Sequence, residues 1–150
     1  MPLYICAADK DAIPAAAKEQ IAAAVTRVHC DVTGAPPTFV HCFFFDRGSP
    51  QLEVLQHVFN ASSDRPYVLF GNLRAGRTEE TKDRVVNEMC DAVCDILGID
   101  REQIDMATQD IPAKWVMEGG DLLPEPGEEE AWLRAHNEKI ARQSQSEKDQ

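Results

Sequence analysis

The sequence predicts an α/β domain (α+β in some classification schemes). It consists of tandem β–α–β units that form a four-stranded mixed sheet with two helices on one face, followed by a C-terminal extension. Three observations predict this fold. The chain has 150 residues, enough for a single domain with a sizeable core. Its apolar pattern recurs 64 residues later without a gap over about 45 positions. Each copy has the pattern of a strand, an amphipathic helix and a strand.

The internal repeat rests on identical residues that share one register. At the same offset the sequence pairs Pro2 with Pro66, Lys18 with Lys82, Cys30 with Cys94, Asp31 with Asp95, Gly34 with Gly98 and Asp46 with Asp110. Conservative apolar pairs lie between these identities with matching periodicity. We therefore predict two β–α–β repeats, at about 2–46 and 66–110, within a single domain that spans 1–150.

The first repeat begins with a short apolar run, Pro2 to Ala8, which is typical of a strand. A helix is predicted from about Pro14 to Thr33, because its apolar residues are spaced three or four apart and share one face. Pro14 suits the first turn and Gly34 the C-terminal cap. The segment from Thr38 to Asp46 is rich in β-branched and aromatic residues and is predicted to be the second strand.

The second repeat follows the same order. A strand is predicted from Pro66 to Leu73, and Thr78 is the expected N-cap of a helix that ends at Gly98. A weaker strand pattern lies near Gln103 to Thr108. Between the repeats, the join from Arg47 to Arg65 has the pattern of a short hairpin around Leu52 to Phe59.

The C-terminal extension, residues 111–142, begins with a loop that contains Pro112. A turn-rich stretch leads to a helix predicted from about Glu128 to Arg142. The last residues, 143–150, are polar, and we expect a disordered tail there.

The second strand is apolar on both sides. Alternation places Phe39, His41, Phe43 and Phe45 on one face and Val40, Cys42 and Phe44 on the other. Two helices cover only one face of a four-stranded sheet, so the other face would expose a large apolar patch. We therefore expect an oligomer in which these sheets pack together.

Composition excludes several classes of partner. The formal net charge is −11, and no cluster of Lys and Arg is dense enough for nucleic acid. No apolar run approaches the roughly 18 residues of a membrane-spanning helix, and the N-terminus lacks the pattern of a secretion signal. The five cysteines are an odd number without a CxxC motif, which indicates reduced thiols. We expect a cytoplasmic protein that binds neither nucleic acid nor membrane.

Pro2 is the first candidate for chemistry. Removal of the initiator Met would leave a secondary amine at the start of a buried strand. Cationic neighbours and desolvation both disfavour the charged form of an amine, so such a group suits general acid–base catalysis near neutral pH. The structural alternative is that Pro2 merely begins a strand, as Pro66 does.

Arg74 and Arg77, the arginine pair, lie between the third strand and the second helix. Two arginines three apart, with a glycine between them, can bind a carboxylate bidentately beside a helix N-terminus. The alternative is two solvated loop arginines. His29 lies beside the apolar stripe of the first helix, at its rim, where a structural role is more common than a catalytic one. Glu118 is a possible carboxylate base among 26 acidic residues, for which a surface role is the default.

These residues together resemble the tautomerase superfamily and, within it, the cis-3-chloroacrylic acid dehalogenase group of fused double β–α–β chains. The resemblance covers about 2–132. It depends on the PxY start, the AxTxxH helix with His29, the following TG, LRAGRTEETK with the arginine pair, ILGIDREQI, and IPAKWVMEGGDLLPEPGEEEAW with Glu118. It implies that the prolyl nitrogen of Pro2 acts as general acid, and that the arginine pair and His29 bind a substrate carboxylate. Glu118 and a tyrosine would activate water, and the implied assembly is a homotrimer. We expect no cofactor and no metal, because the spacing of Cys30, His41 and Cys42 fits no standard zinc site.

One position departs from that pattern. Ala107 stands where the resemblance implies a tyrosine, so Glu118 lacks its hydroxyl partner. A lost hydrogen-bond donor can cost orders of magnitude in a chemical step. Tautomerisation of a small enol or 2-oxo acid needs no activated water, and we rank it first. Hydration or hydrolytic dehalogenation of a 3-haloacrylate-like acid is the second hypothesis. A non-catalytic trimer that binds a small anion or a protein is the third.

Overall fold

The computed structural model describes residues 2–50 and 65–148. A four-stranded sheet comprises β1 (Leu3–Ala8), β2 (His41–Asp46), β3 (Tyr67–Arg74) and β4 (Ile104–Ile111), in the order β2–β1–β3–β4. β1 pairs in parallel with β2, and β3 with β4, whereas β1 and β3 are antiparallel at the centre. The predicted fold class is confirmed: two parallel units form one mixed sheet.

The two main helices show the repeat most clearly. α1 spans Ala15–Thr33 and α2 spans Glu79–Leu97, so both ends are offset by the 64 residues of the sequence repeat. Gly34 and Gly98 end the helices in the left-handed conformation, with φ of 71° and 65°. Glycine adopts this conformation without the steric cost of a Cβ atom, so the repeated glycine ends both helices at the same place.

The helices share one core with one face of the sheet. Apolar residues of α1 and α2 pack there against alternate residues of the strands, and the buried members include Ile21, Val25, Val28, Val85, Met89, Val93, Tyr4, Cys6, Leu69 and Leu73. Thr78 caps α2 as predicted, since its Oγ1 accepts from the N–H of Thr81 at 3.2 Å. Both helices therefore cover the same side of the sheet.

The other side of the sheet, here called the outer face, carries a smaller apolar cluster. Ile5 and Ala7 are buried in it, and Leu3, Phe45 and Val68 pack around them. Phe43 remains 48% exposed. Cys42 and Phe44 pack instead against the helix side, as the predicted alternation along β2 requires.

The strand predicted from Thr38 begins later. Pro37–Phe39 forms a 3-10 turn, in which the N–H of Phe39 donates to the carbonyl of Pro36 at 3.0 Å, and β2 starts at His41. Pro36 and Pro37 have no N–H for a strand ladder, which explains the delay. Phe39 is consequently absent from the outer face, contrary to the prediction. It is buried in a separate cluster with the C-terminal extension.

Other boundaries also differ from the predictions. β4 extends to Ile111, because all eight of its residues pair with β3. The hairpin predicted around Leu52 to Phe59 lies outside the described residues. Among the residues described, no helix combines the length and apolar character needed to cross a bilayer.

The C-terminal extension forms a short hairpin and a long helix. The hairpin consists of β5 (Met117–Glu118) and β6 (Asp121–Leu122), and α3 spans Glu129–Lys148. The helix thus continues through most of the stretch predicted to be a disordered tail. Glutamate, glutamine, lysine and arginine favour helix, and Arg142 lies 3.4 Å from Glu138 one turn earlier, so polarity alone was the wrong criterion for disorder.

Candidate active site

The arginine pair lies where β3 ends. Arg74 is the last residue of that strand, and Arg77 lies just before the N-cap of α2. Gly76, with φ of 95°, provides the turn between them. The side chain of Arg74 is 2% exposed and that of Arg77 is 7% exposed. Both guanidinium groups are therefore buried, unlike the solvated arginines of the alternative interpretation.

Arg74 is bound by the C-terminal extension. Its Nη1 donates to the carbonyl oxygen of Pro124 at 2.6 Å, and its Nη2 forms a hydrogen bond and ion pair with Oε1 of Glu129. The guanidinium carbon lies 5.7 Å from the ring centroid of Phe39. These contacts leave only Nε of Arg74 without a partner among the described residues.

Arg77 makes fewer contacts. Its Nη1 donates to the carbonyl oxygen of Thr33, near the end of α1, at 2.7 Å. Its Nη2 lies 3.8 Å from Oε1 of Glu129, within ion-pair range but too far for a hydrogen bond. Neither Nε nor Nη2 has a hydrogen-bond partner in the described part of the chain.

Glu129 is a site residue that sequence reasoning missed. Its side chain is 12% exposed, and its Oε2 accepts from the N–H of Gly127 at 2.8 Å. Burial acts to raise the pKa of Glu129, but its backbone hydrogen bonds and Arg74 together hold that pKa below the ordinary value. Glu129 lies between two other glutamates, so the sequence contains no signal that distinguishes it.

His29 lies inside the helix–sheet contact, not at its rim as predicted. It is 1% exposed, and its Nδ1 is 2.8 Å from the hydroxyl oxygen of Tyr4. The two rings meet edge to face, with centroids 5.7 Å apart. The prediction failed because the buried face of α1 is wider than its aliphatic stripe: Val25 and Val28 are buried beside His29.

Burial and charge keep His29 neutral. Burial, followed by the charges of Arg77, Arg74 and the amino terminus, lowers the pKa of His29 to about 3. Burial raises the pKa of Tyr4 above its ordinary value, so its hydroxyl stays protonated. When that hydroxyl donates to Nδ1, the histidine proton is on Nε2. The charges of Arg77 and Arg74 act on His29 because the arginine pair lies close to it.

Pro2 is buried at the start of β1. Its carbonyl accepts from the N–H of His41 at 3.0 Å, and the N–H of Leu3 donates to Oδ1 of Asn72 at 2.8 Å. Asn72 belongs to β3, two residues before Arg74. These bonds attach the amino-terminal segment to the strand that carries the arginine pair.

Glu118 lies in the short hairpin of the C-terminal extension. It pairs with Asp121 across a turn formed by Gly119 and Gly120, which have φ of 56° and 84°. Asp121 joins this hairpin to α3: its two carboxylate oxygens lie 2.7 Å from Nδ1 of His136 and 2.7 Å from Nζ of Lys139. The structure thus brings the arginine pair and His29 together, and places Glu118 on the extension.

Unpartnered polar atoms mark the site. Over the described residues, the buried side-chain atoms without a hydrogen-bond partner are Nε2 of His29, Nε2 of His41, Nε of Arg74, Nε and Nη2 of Arg77, and Oε2 of Glu118. Buried polar groups are nearly always hydrogen-bonded in folded proteins. All but the His41 atom belong to residues that the sequence singled out. The arrangement can bind an anionic oxygen ligand through the free N–H groups.

Ala107 lies on the opposite side of the sheet from the core. It pairs with Phe70 in β3, and it is exposed, whereas its neighbour Met106 packs against the helices. Ala107 supplies no hydroxyl group. In the described ranges no group of three or more His, Cys, Asp or Glu side chains has the arrangement of a metal site.

Comparisons with known proteins agree with this fold. The sequence model of a family described as "Tautomerase enzyme" matches residues 66–123. N1, described as a member of the cis-3-chloroacrylic acid dehalogenase (cis-CaaD) family, superimposes with a TM-score of 0.76 at 23% identity, over 93% of this chain and 99% of its own.

Two further solved structures are similar. Native Ps01740 has a TM-score of 0.64 at 27% identity, and the match covers 77% of this chain and 99% of Ps01740. The R7 fused 4-OT, described as a wild-type asymmetric trimer, has a TM-score of 0.62 at 21% identity, over 80% of this chain and 94% of its own. No curated protein sequence matches the chain.

Proposed function

We propose that the chain is a tautomerase of small enol or 2-oxo carboxylic acids. The proposal starts from the resemblance to the tautomerase superfamily and from the cis-CaaD-like fold, both of which the comparisons support. One observation supports this most directly. The arginine pair and His29 lie in one buried neighbourhood, and each has a nitrogen without a hydrogen-bond partner among the described residues. An anionic ligand can accept hydrogen bonds from these nitrogens.

In this proposal the arginine pair binds the substrate carboxylate. Charge-assisted hydrogen bonds from a guanidinium group are among the stronger ones, and burial excludes the water that would compete for them. Neutral His29, with its proton on Nε2, supplies an additional N–H for a substrate oxygen. Tyr4 maintains that protonation state by donating to Nδ1.

Pro2 transfers the proton in our proposal. Once the initiator Met is removed, its neutral nitrogen takes the proton from the enol hydroxyl at C2 and leaves an enolate. The enolate oxygen then forms the C2 carbonyl while the electron pair of the C2–C3 double bond takes that proton from the prolyl nitrogen, which forms a C–H bond at C3. The proton count balances without any other reagent. The arginine pair disfavours a further positive charge nearby and so favours the neutral, basic form of the amine.

Hydration or hydrolytic dehalogenation of a 3-haloacrylate-like acid is the second candidate. Glu118 supports it, because its Oε2 is buried without a partner in the described residues and so can accept a hydrogen bond from water. Ala107 weighs against efficient hydration, since it offers no hydroxyl to assist the carboxylate. We therefore propose this activity as a slow side reaction.

Intact mass and a tautomerase assay test the proposal together. Purified protein is weighed by mass spectrometry and then assayed by ultraviolet absorbance for ketonisation of phenylenolpyruvate. A mass short by one methionine together with catalysis abolished in Pro2→Ala would support the proposal. Protein that has lost its methionine and does not accelerate ketonisation would contradict it, and would favour a non-catalytic trimer that binds an anion or a protein. If Met1 is retained, its carbonyl acylates the prolyl nitrogen, and we expect the protein to be inactive in this assay as well.

We further propose a homotrimer and a cytoplasmic location. The apolar outer face around Ile5 and Ala7 supports an oligomer, and the R7 fused 4-OT is described as a trimer. All five cysteines are free thiols, which suits a reducing compartment. The expected partner is the small carboxylic acid substrate, and we propose no role for a cofactor, nucleic acid or membrane.

A further inference from the structure

Glu129 makes the two arginines of the pair differ in the nitrogen atoms that they can offer to a ligand. A guanidinium group binds a carboxylate most tightly with two parallel N–H bonds, and the Nε and Nη2 edge is one place where this occurs. In Arg74 this edge is already in use, because Nη2 donates to Glu129. Nη1 of Arg74 is also occupied, by the carbonyl of Pro124. Nε is therefore the only nitrogen of Arg74 without a hydrogen-bond partner among the described residues.

Arg77 presents the complete edge. Its Nη1 is anchored to Thr33, which fixes the orientation of the guanidinium plane. Its Nε and Nη2 are both buried and both lack a hydrogen-bond partner among the described residues. One arginine of the pair is thus arranged for bidentate binding, while the other is already bound to the protein's own carboxylate.

The charges lead to the same distinction. The arginine pair carries two positive charges, Glu129 carries one negative charge, and buried His29 is neutral. The prolyl nitrogen is neutral in the proposed reaction and adds no charge. One positive charge of these groups remains for a ligand. A ligand with one carboxylate neutralises it, whereas a second carboxylate would add an uncompensated negative charge beside Glu129 in a buried site.

We propose that Glu129 makes this site selective for acids with a single carboxylate, by neutralising Arg74 and leaving Arg77 as the bidentate ligand-binding arginine. The inference rests on the carboxylate site of the proposed function, narrows carboxylate binding there from the arginine pair to Arg77, and specifies the substrate class. Glu129 acts here as a positioning and specificity residue, because it reaches the ligand through the arginine pair.

Crotonate and fumarate are matched probes for this inference. Both are trans four-carbon unsaturated acids, and fumarate carries a second carboxylate where crotonate has a methyl group. Their affinities are measured by isothermal titration calorimetry on the protein without Met1. We expect the native chain to bind crotonate at least about tenfold more tightly than fumarate. In Glu129→Gln the fumarate affinity should rise about tenfold relative to that of crotonate, because one unit of negative charge is removed beside the ligand.

Glu130→Gln is the matched control. Glu130 is the next residue of α3 and is exposed, so its substitution changes the net charge equally without altering the arginine pair. Its ratio of crotonate to fumarate affinity should match that of the native chain. An unchanged ratio in Glu129→Gln, or an equal change in Glu130→Gln, would overturn the proposal.

A rescue experiment separates selectivity from mere stabilisation. Oε1 of Glu129 lies 3.8 Å from Nη2 of Arg77. In Arg74→Gln we expect Glu129 to pair with Arg77, so crotonate affinity should fall at least tenfold. Arg74→Gln combined with Glu129→Gln should restore crotonate affinity to within about threefold of the native value, and Arg74→Gln combined with Glu130→Gln should not. If the first double variant is folded by circular dichroism but still does not bind crotonate, Arg74 itself binds the ligand and the proposal is wrong.

These titrations need no turnover, so the two proposals fail in different ways. A chain that prefers crotonate over fumarate but does not ketonise phenylenolpyruvate retains this inference and loses the proposed activity. A chain that ketonises phenylenolpyruvate and binds both probes equally retains the activity and loses this inference. If Arg74→Gln does not fold, the comparison of Glu129→Gln with Glu130→Gln alone decides.

Discussion

The hydroxyl of Tyr4 lies 2.8 Å from Nδ1 of His29, and both side chains are buried between the sheet and α1. Gly71 makes this contact possible from the neighbouring strand. A Cβ atom at Gly71 would lie 2.3 Å from the Tyr4 ring, closer than real atoms approach. A glycine in β3 and a tyrosine in β1 therefore fix the orientation of a histidine in a helix. That histidine faces the charges of the arginine pair.

Tyr4→Phe tests what this contact contributes. Removing the hydroxyl leaves Nδ1 of His29 buried without its partner, which should lower the free energy of unfolding by about 1–3 kcal/mol. The histidine proton would no longer be held on Nε2, and we expect kcat/KM for phenylenolpyruvate to fall about tenfold. Urea unfolding and steady-state kinetics measure the two effects.

Tyr67→Phe is the control for that change, because it removes the other tyrosine hydroxyl of the chain, which lies in the same core. Its kcat/KM should stay within twofold of the native value. Unaltered kinetics in Tyr4→Phe would show that Tyr4 has no influence on the reacting groups.

The low pKa of His29 predicts a stability that depends on pH. Burial and the arginine pair lower the pKa of folded His29 to about 3, whereas the pKa of the unfolded residue is about 6.5. Below pH 6.5 the unfolded chain binds a proton that the folded chain does not, so stability should fall as pH decreases. Between pH 7 and pH 5 this amounts to about 2 kcal/mol. The lowered pKa of the Glu129 carboxyl group also makes stability fall with pH, but only at lower pH, where the carboxylate of the unfolded chain becomes protonated.

His29→Gln should remove that pH dependence. Urea unfolding at pH 7 and pH 5, at one protein concentration, gives the loss of stability in each protein. The other histidines contribute equally to both, so they cancel in the comparison. If His29→Gln loses as much stability between these pH values as the native chain, His29 is not the residue responsible.

Pro2→Ala and Glu118→Gln should affect different reactions. Pro2→Ala leaves a primary amine of altered geometry and basicity, so tautomerisation should fall by about 10²–10⁴. Glu118→Gln preserves shape and removes charge. It should leave tautomerisation within a few-fold and abolish residual hydration of a haloacrylate or propiolate. Both rates are followed by ultraviolet absorbance, and an equal loss of tautomerisation in the two variants would place Glu118 in the proton-transfer step.

Ala107→Tyr complements that pair of variants. If the missing hydroxyl limits water activation, a tyrosine at this position should raise the rate of hydration above that of the native chain. Tautomerisation should be unchanged, because it needs no activated water. The product of haloacrylate hydration is quantified by nuclear magnetic resonance.

The outer face predicts the state of association. Light scattering at micromolar concentration should give about three times the chain mass of 16.7 kDa. Phe43→Ser should lower that mass, since Phe43 is 48% exposed on the outer face. Ile140→Ser should not, although Ile140 on α3 is 46% exposed. A monomeric native chain would refute the argument from the outer face.

The repeat explains why the fold was predictable from the sequence. The helix ends at Gly34 and Gly98 and the N-cap at Thr78 are local features, and each was placed correctly. Phe39 was wrongly predicted to lie in the second strand, because it continues the alternate spacing of Phe43 and Phe45. The two prolines before it favour a turn at this place. The end of α3 was missed because polar helix formers resemble a disordered segment.

The sequence by itself determined the β–α–β repeat, the sheet with helices on one side, and the candidates Pro2, His29, Glu118 and the arginine pair. These depend on periodicity, caps and motif spacing, which are properties of neighbouring residues. Only the tertiary structure determined that His29 is buried against Tyr4 and that the carboxylate of Glu129 accepts a hydrogen bond from Arg74. Glu129 and Arg74 are 55 residues apart, and three adjacent glutamates are equivalent in sequence. The packing of α3 against the separate cluster around Phe39 selects one of them, because among the described residues it alone comes within bonding distance of the buried guanidinium.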